Sequence, residues 1–310
     1  MRATQEHQNG ALDHVRREAY KALSSVTGRP LLVYATAFQN PVKGAFGPLM
    51  GIDLTDKDGF SEIVEGASGK KVDVLIHSPG GSAEATESIV AILRSKFTDV
   101  RFVITGAAKS AATMLSMSGN SILITTAGEL GPIDPQINLG GNFTPAGSLK
   151  EEFEKAAVDI AENPDRLPAW LPILEKYTPA LLTQCENFSQ LARDLVGQWL
   201  GEYMLKNDPD KVRKSEKIGK YLADEKNTLS HARRVDAKTL RKLGVVCDLA
   251  EDQPVELQEA LRKVHLALIM TLDFTDAYKI FESSEGSALI RQISIPAPQA
   301  LPGAQRVMPA

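Results

Sequence analysis

Cysteine is scarce in this chain of 310 residues, which contains only Cys185 and Cys247. Two thiols do not make the disulfide framework that stabilises small secreted domains, and they are too few for a cysteine-rich zinc site. We therefore expect two small, buried side chains in a reducing compartment. The sequence gives no reason to expect a metal ion or any other cofactor.

Long apolar runs are missing as well. No stretch approaches the ~20 apolar residues that a helix needs to cross a membrane, so we expect no transmembrane anchor in this chain. Residues 1–20 are polar and charged, and they lack the apolar core of a signal peptide. These features predict a cytoplasmic location.

Neither sign of charge is in large excess. The 35 Lys and Arg residues stand against 39 Asp and Glu residues, which leaves a net charge of -4. That balance gives no electrostatic reason to expect nucleic acid as a partner. Hydrophobic residues make up 43% of the chain and charged residues 24%, as in a folded protein.

Short apolar runs alternate with helical patterns in the first half of the chain. Such an alternation predicts an α/β fold, in which a mainly parallel sheet is covered on both faces. The predicted strands are Pro30–Ala37, Val72–His77, Val100–Thr105 and Ser121–Thr126, with a last one at Val245–Cys247.

The second half of the chain is mainly helical in pattern. Ser148 and Glu151 have the spacing of a capping box, which predicts that a helix begins there. A further helix is predicted over 181–205, and the charged stretch 206–220 is expected to be solvated. A long helix with an apolar face is predicted over 255–281.

These patterns divide the chain into three predicted parts. A polar N-terminal helix occupies residues 1–29, and the main domain occupies 30–292 with a helical insertion around 150–220. Residues 293–310, which are rich in proline, are expected to form a disordered tail.

The predicted helix over 255–281 carries more apolar side chains than a lone terminal helix needs. They are Val264, Leu266, Leu268, Ile269 and Leu272. We expect this helix to pack against a second subunit, so the chain is predicted to form a homo-oligomer.

Two turns follow consecutive predicted strands, at the edge where open α/β sheets bind their ligands. The first contains Gly80 and Gly81, whose freedom at positive φ lets backbone N–H groups approach a substrate and bind an oxyanion. A simple tight turn would contain the same residues.

The second turn places Ser110 at a strand-to-helix junction among small residues, which suits an acyl-transfer nucleophile. An ordinary helix N-cap serine would occupy the same place.

Taken together, the two turns resemble the Clp-protease and signal-peptide-peptidase group of the crotonase superfold, and most of all the serine dehydrogenase proteinase family. The matching segments are IHSPGGSAEA (76–85), AAKSAATM (107–114), ELGPIDPQI (129–137), SHARRVDAKTLRKLGV (230–245) and KIFESSEGSALIRQ (279–292). The family has Gly-Thr after the Ser-Ala of its serine motif, whereas this chain has Ala112-Thr113.

The resemblance implies a crotonase-like spiral of ββα units with a helical C-terminal region. It also implies a nucleophile at Ser110, with oxyanion donors at Gly80 and Gly81 and a further donor at the N–H of Ala111. The implied activity is that of a serine endopeptidase that needs neither metal nor nucleotide. The implied substrate is a peptide, an unfolded protein or a membrane-protein segment.

The general base is less directly indicated, because Asp134 stands where Clp proteases carry their catalytic histidine. His231 precedes the segment in which those proteases carry the acid that orients the histidine. We therefore predict a permuted triad, in which Ser110 attacks, His231 takes the proton and Asp134 orients His231. An exposed loop position for His231 is the competing interpretation.

A lysine base, as in signal-peptide peptidases, is the alternative mechanism. Lys150 and Lys155 follow Ser110 at about the spacing of related Ser–Lys proteases, but such a lysine must be desolvated to act as a base. Two alternative functions keep the same fold. One is a crotonase-like acyl-CoA enzyme, and the other is a catalytically inactive oligomeric scaffold.

Overall fold

The computed structural model describes the backbone of residues 2–294 and the side chains of residues 10–294. Within that part of the chain the strands are β1 (Leu31–Thr36), β2 (Lys71–His77), β3 (Asp99–Ile104), β4 (Ala107–Ala108), β5 (Ser121–Ile124), β6 (Glu129–Leu130), β7 (Gln136–Leu139), β8 (Asn142–Pro145), β9 (Cys247–Leu249), β10 (Ala277–Ser283) and β11 (Ala288–Gln292). The predicted disordered tail lies almost entirely outside the described residues.

The α-helices surround these strands. They are α1 (Arg2–Thr27), α2 (Gly47–Met50), α3 (Asp56–Glu65), α4 (Ala83–Lys96), α5 (Ala111–Met117), α6 (Ala146–Glu162), α7 (Leu167–Leu174), α8 (Leu181–Trp199), α9 (Lys211–Ala223), α10 (Glu225–Thr228), α11 (Ala237–Leu243) and α12 (Val255–Phe274). A π-helical turn at Leu200–Met204 extends α8.

The main sheet is predominantly parallel, as predicted. Its strand order is β11-β10-β1-β2-β3-β5-β9. Strands β1, β2, β3, β5 and β9 pair in parallel, and β10 adds to β1 in antiparallel orientation. Side chains alternate between the two faces, as the period of a strand requires. In β1, Leu32 and Tyr34 enter one hydrophobic cluster, while Leu31 and Val33 enter the other.

A smaller layer crosses the C-terminal ends of these strands. Strand β4 follows β3 directly and pairs in parallel with β6, while a bridge joins Ser78, just after β2, to Ala108. The chain then enters α4 after β2 and α5 after β4. This repeated succession of long strand, short strand and helix confirms the predicted ββα arrangement.

The predicted helix over 255–281 is wrong at its C-terminal end. Helix α12 stops at Phe274, and the chain continues as β10. The reason is the burial pattern of β10, in which Ile280 and Phe281 enter opposite hydrophobic clusters across the sheet. Neighbouring residues point to opposite faces in a strand but are only about 100° apart in a helix, so the strand places both of them in a core.

Helix α1 covers the apolar face of α12. Tyr20 and Leu23 of α1 share a cluster with Val264, Leu268 and Leu272 of α12. Three of the five apolar side chains that predicted a second subunit are therefore buried within the same chain. Leu266 remains 48% exposed.

Two local predictions in the helical region are also wrong. Helix α6 begins at Ala146 and Ser148 caps nothing, because its hydroxyl donates to Glu225 Oε1 at 2.7 Å. The stretch 206–220 is not uniformly solvated, because most of it forms α9. Ile218, on one face of that helix, is fully buried in the main core cluster.

Candidate active site

Ser110 occupies a sharp turn between β4 and α5. Its φ is +50° and its ψ is −120°, a backbone conformation that L-residues rarely adopt and that occurs at strained functional turns. Ala111 and Ala112, both buried, let α5 begin directly against the core. The Ser110 side chain is partly exposed, and its hydroxyl makes no hydrogen bond to any described residue.

The Gly80 turn lies against the Ser110 turn, as the sequence predicts for the ends of two adjacent strands. Ser78 N donates to Ala107 O at 2.9 Å, which brings the two segments together. A Cβ atom on Gly80 would lie 2.6 Å from Ser110 Cβ and 2.9 Å from Ala111 N. Because the φ of Gly80 is also +102°, only glycine fits there.

Backbone N–H groups at this contact are free to bind an oxyanion. Ile52 N donates to Gly80 O at 2.6 Å, which engages one side of the Gly80–Gly81 peptide. Among the described residues, neither the Gly81 N–H nor the Ala111 N–H has an acceptor. The N–H of Gly80 is already used, because it donates to Ser78 Oγ at 3.2 Å.

His231 and Asp134 lie side by side. His231 Nδ1 is 2.8 Å from Asp134 Oδ1, and the Asp134 side chain is only 4% exposed. Gln136 Nε2 donates to the other carboxylate oxygen at 2.6 Å. Since Asp134 engages Nδ1, the second ring nitrogen of His231 stays available for a proton.

The loop that carries His231 is tied to the Ser110 turn by contacts that the sequence did not reveal. A backbone bridge joins Leu130 to Val235. The Lys109 ammonium lies 2.9 Å from Glu129 Oε2 and donates to Ala232 O at 3.4 Å. The residue before Ser110 thus contacts the residue after His231.

The two alternative lysine bases are not desolvated. Lys150 is 48% exposed and lies 3.5 Å from Glu186, although it shares a cavity of about 260 Å³ with Asp134. Lys155 is exposed on α6. A lysine loses its proton near neutral pH only when burial disfavours its charge, and neither side chain is buried.

His77 is a packed core residue rather than a base. Its ring is 5.0 Å from the ring of Phe38 and 6.4 Å from that of His265. Burial, with a smaller contribution from His265, lowers the pKa of His77 to about 4. His265 lies on α12 and its Nδ1 is 3.1 Å from Thr105 Oγ1.

The described part of the chain has neither a cluster of metal-ligating side chains nor a helix suited to cross a membrane. Among the side chains of residues 10–294, no group of three or more His, Cys, Asp or Glu could hold a metal ion. None of the helices described is both long enough and apolar enough to pass through a bilayer.

Comparison with solved structures finds weak likenesses. Two structures are described as the 1510-N membrane-bound stomatin-specific protease, one a lysine mutant with a substrate peptide and one a serine mutant. Both are 15% identical with a TM-score of 0.40. The first match covers 68% of this chain and 75% of that one, and the second covers 73% and 89%.

Sequence comparison finds similarity over part of the chain. Two uncharacterized proteins of Methanocaldococcus jannaschii are each 26% identical, over 149 and 142 residues, which are 47% and 43% of this chain. The chain spans about half the length of these relatives, 49% and 47% respectively.

The model of a family described as ClpP-like SDH-type serine proteinase matches residues 52–169. That segment contains Gly80, Gly81, Ser110 and Asp134. Over that segment, this chain is similar to the ClpP-like SDH-type serine proteinase family.

Proposed function

We propose that this protein is a serine peptidase that cleaves peptide bonds through an acyl-enzyme on Ser110. The observation that carries the proposal is the contact between the two turns. A serine at positive φ touches Gly80, and the free N–H groups of Gly81 and Ala111 flank it. A nucleophile beside two unpaired donors is the arrangement that acyl transfer requires.

In the proposed reaction, Ser110 Oγ attacks the carbonyl carbon of the scissile bond, and its proton passes to the free nitrogen of His231. The carbonyl oxygen becomes negatively charged and accepts hydrogen bonds from Gly81 and Ala111. The C–N bond then breaks, and the amine leaves with the proton from His231. Water, deprotonated by His231, attacks the ester in the same way and releases the acid and Ser110.

The pair of His231 and Asp134 supports a histidine base over a lysine base. Asp134 is buried and accepts hydrogen bonds on both oxygens, so it can hold the imidazole in one orientation and stabilise its charged form.

We propose an endopeptidase that acts on a peptide, an unfolded protein or a membrane-protein segment. The proposed reaction uses neither a metal ion nor a nucleotide. The cytoplasmic location stays a prediction.

A fluorophosphonate probe tests the nucleophile directly. We expect the purified protein to gain one probe adduct, located on Ser110 by peptide mass spectrometry. The matched control is Ser230→Ala, which removes an exposed serine beside His231 and should label like the parent. A folded parent that gains no adduct, or gains it at another serine, would contradict the proposal and favour an inactive scaffold.

We also propose that the chain forms a homo-oligomer through the outer face of α12. Leu266, Met270 and Phe274 follow one another at four-residue spacing, and their side chains are 48%, 45% and 66% exposed. Such a row can pack against the same row of a second copy. We expect light scattering at micromolar concentration to give a multiple of 33.6 kDa. A mass equal to that of a single chain would refute the proposal.

A further inference from the structure

A buried ion cluster lies behind the Gly80 turn. Lys279 of β10 is 1% exposed, and its ammonium donates to Asp53 Oδ2 at 2.8 Å and to Asp56 Oδ1 at 2.8 Å. Its third donor reaches Gly51 O at 2.7 Å. Asp56 is fully buried and also accepts from the Tyr34 hydroxyl at 2.9 Å. All three hydrogen-bond donors of the Lys279 side chain are therefore used, which holds it in one position.

The segment that Lys279 holds, residues 51–53, supports the oxyanion turn. Ile52 N donates to Gly80 O at 2.6 Å, and Ile52 O accepts from Ser82 N at 2.9 Å. The two backbones are pressed together, because a Cβ on Gly81 would lie 2.2 Å from Ile52 O. The position of Ile52 therefore determines the position of the Gly80–Gly81 peptide.

The geometry of the Gly80–Gly81 peptide links the position of Gly80 O to the direction of the Gly81 N–H. The described residues contain no cis peptide bond, and in a trans peptide the C=O and the N–H point in opposite directions. Because Gly80 O points at Ile52 N, the N–H of Gly81 points away from residues 51–53. That leaves it unpaired on the side of the turn that faces away from the supporting segment.

We infer that Lys279 is a positioning residue for the oxyanion hole. By donating to Gly51 O as well as to the carboxylates of Asp53 and Asp56, it keeps Ile52 in place, and Ile52 fixes the direction of the Gly81 N–H. The inference rests on the proposed function, since it concerns a donor to the oxyanion formed at Ser110. A buried ion pair such as Lys279–Asp56 contributes little stability compared with apolar packing of the same volume, so structural support alone does not explain it.

The test removes the cluster without leaving a charge buried. The double variant Lys279→Met/Asp56→Asn replaces the ammonium and its buried partner with neutral side chains of similar size. The readouts are kcat and KM for a peptide, and the affinity for a peptide boronate, whose tetrahedral adduct on Ser110 places an oxygen in the oxyanion position. We expect kcat to fall about 10- to 100-fold, because loss of one well-placed donor costs 10²–10³-fold.

KM should change by no more than about twofold, and the affinity for the boronate should fall by the same factor as kcat/KM. The matched control is Arg16→Met/Glu282→Gln. It neutralises another buried ion pair on the same strand, with side chains 0% and 1% exposed, which joins β10 to α1 instead. This control should lose stability while keeping the kcat and boronate affinity of the parent.

A milder variant covers the case in which the double variant does not fold. Asp53→Asn changes a side chain that is 41% exposed, so we expect this variant to fold. Its kcat should fall several-fold at unchanged KM. Parent-like kcat and boronate affinity in the folded variants would overturn the inference, as would an equal fall in the control. A parent that neither cleaves peptides nor binds the boronate would instead overturn the proposed function.

Discussion

Ser110→Ala should lower the turnover of a peptide substrate by about 10⁶-fold, because loss of the nucleophile removes the combined effect of a triad. The fold should change little. Alanine keeps the Cβ atom that contacts the Gly80 turn, and the lost hydroxyl makes no hydrogen bond to a described residue. Steady-state peptide cleavage by the purified variant measures the effect, and circular dichroism confirms that it is folded.

The control for this variant is Ser116→Ala, one and a half turns further along α5. Ser116 is fully buried and its hydroxyl donates to Ala112 O at 2.8 Å. We expect that variant to lose some stability and to keep its activity. Cleavage by Ser110→Ala at the rate of the parent would remove Ser110 from the mechanism.

The second large effect is expected at the base. His231→Ala should lower kcat by about 10⁶-fold, as removal of the triad histidine does in serine proteases. Asp134 would then lose its partner on Oδ1 but keep Gln136 on Oδ2. The measurement is again peptide cleavage, with labelling of Ser110 by a fluorophosphonate as a second readout.

Lys150→Met provides the comparison, because Lys150 is the lysine that shares a cavity with Asp134. It is half exposed and paired only with Glu186, so we expect parent-like activity. The opposite pair of results, an active His231→Ala and an inactive Lys150→Met, would establish the lysine mechanism in place of the histidine one.

The contact between the Gly80 and Ser110 turns could be predicted from the sequence because each turn follows its own strand directly. Gly80 and Ser110 each follow a strand of a parallel sheet, and the ends of adjacent strands meet at one edge. The partnership of His231 with Asp134 could be predicted only through the family resemblance. Residues 97 apart come together here because the bridge from Leu130 to Val235 returns the chain to the sheet.

Other features escaped prediction because they depend on distant partners. Ser148 has the right spacing for a capping box, but its hydroxyl instead donates a hydrogen bond to Glu225, 77 residues later. The sequence pattern extends the predicted helix beyond Phe274, the last residue of α12, because the apolar residues of β10 also fit a helical period. Lys279 forms its cluster with residues more than 220 positions earlier, and no local pattern indicates such a contact.

The backbone of Ser110 has a consequence for how the sequence is constrained. A non-glycine residue at φ +50° and ψ −120° holds about 1–3 kcal/mol of strain, which the surrounding fold must offset. The free energy of unfolding of a typical domain is only about 5–15 kcal/mol. The strain in this one turn is therefore large compared with the net stability. Selection for stability alone would favour a different residue here. Under the proposed function, reactivity and stability make opposite demands on this position. The chain then tolerates fewer destabilising substitutions elsewhere.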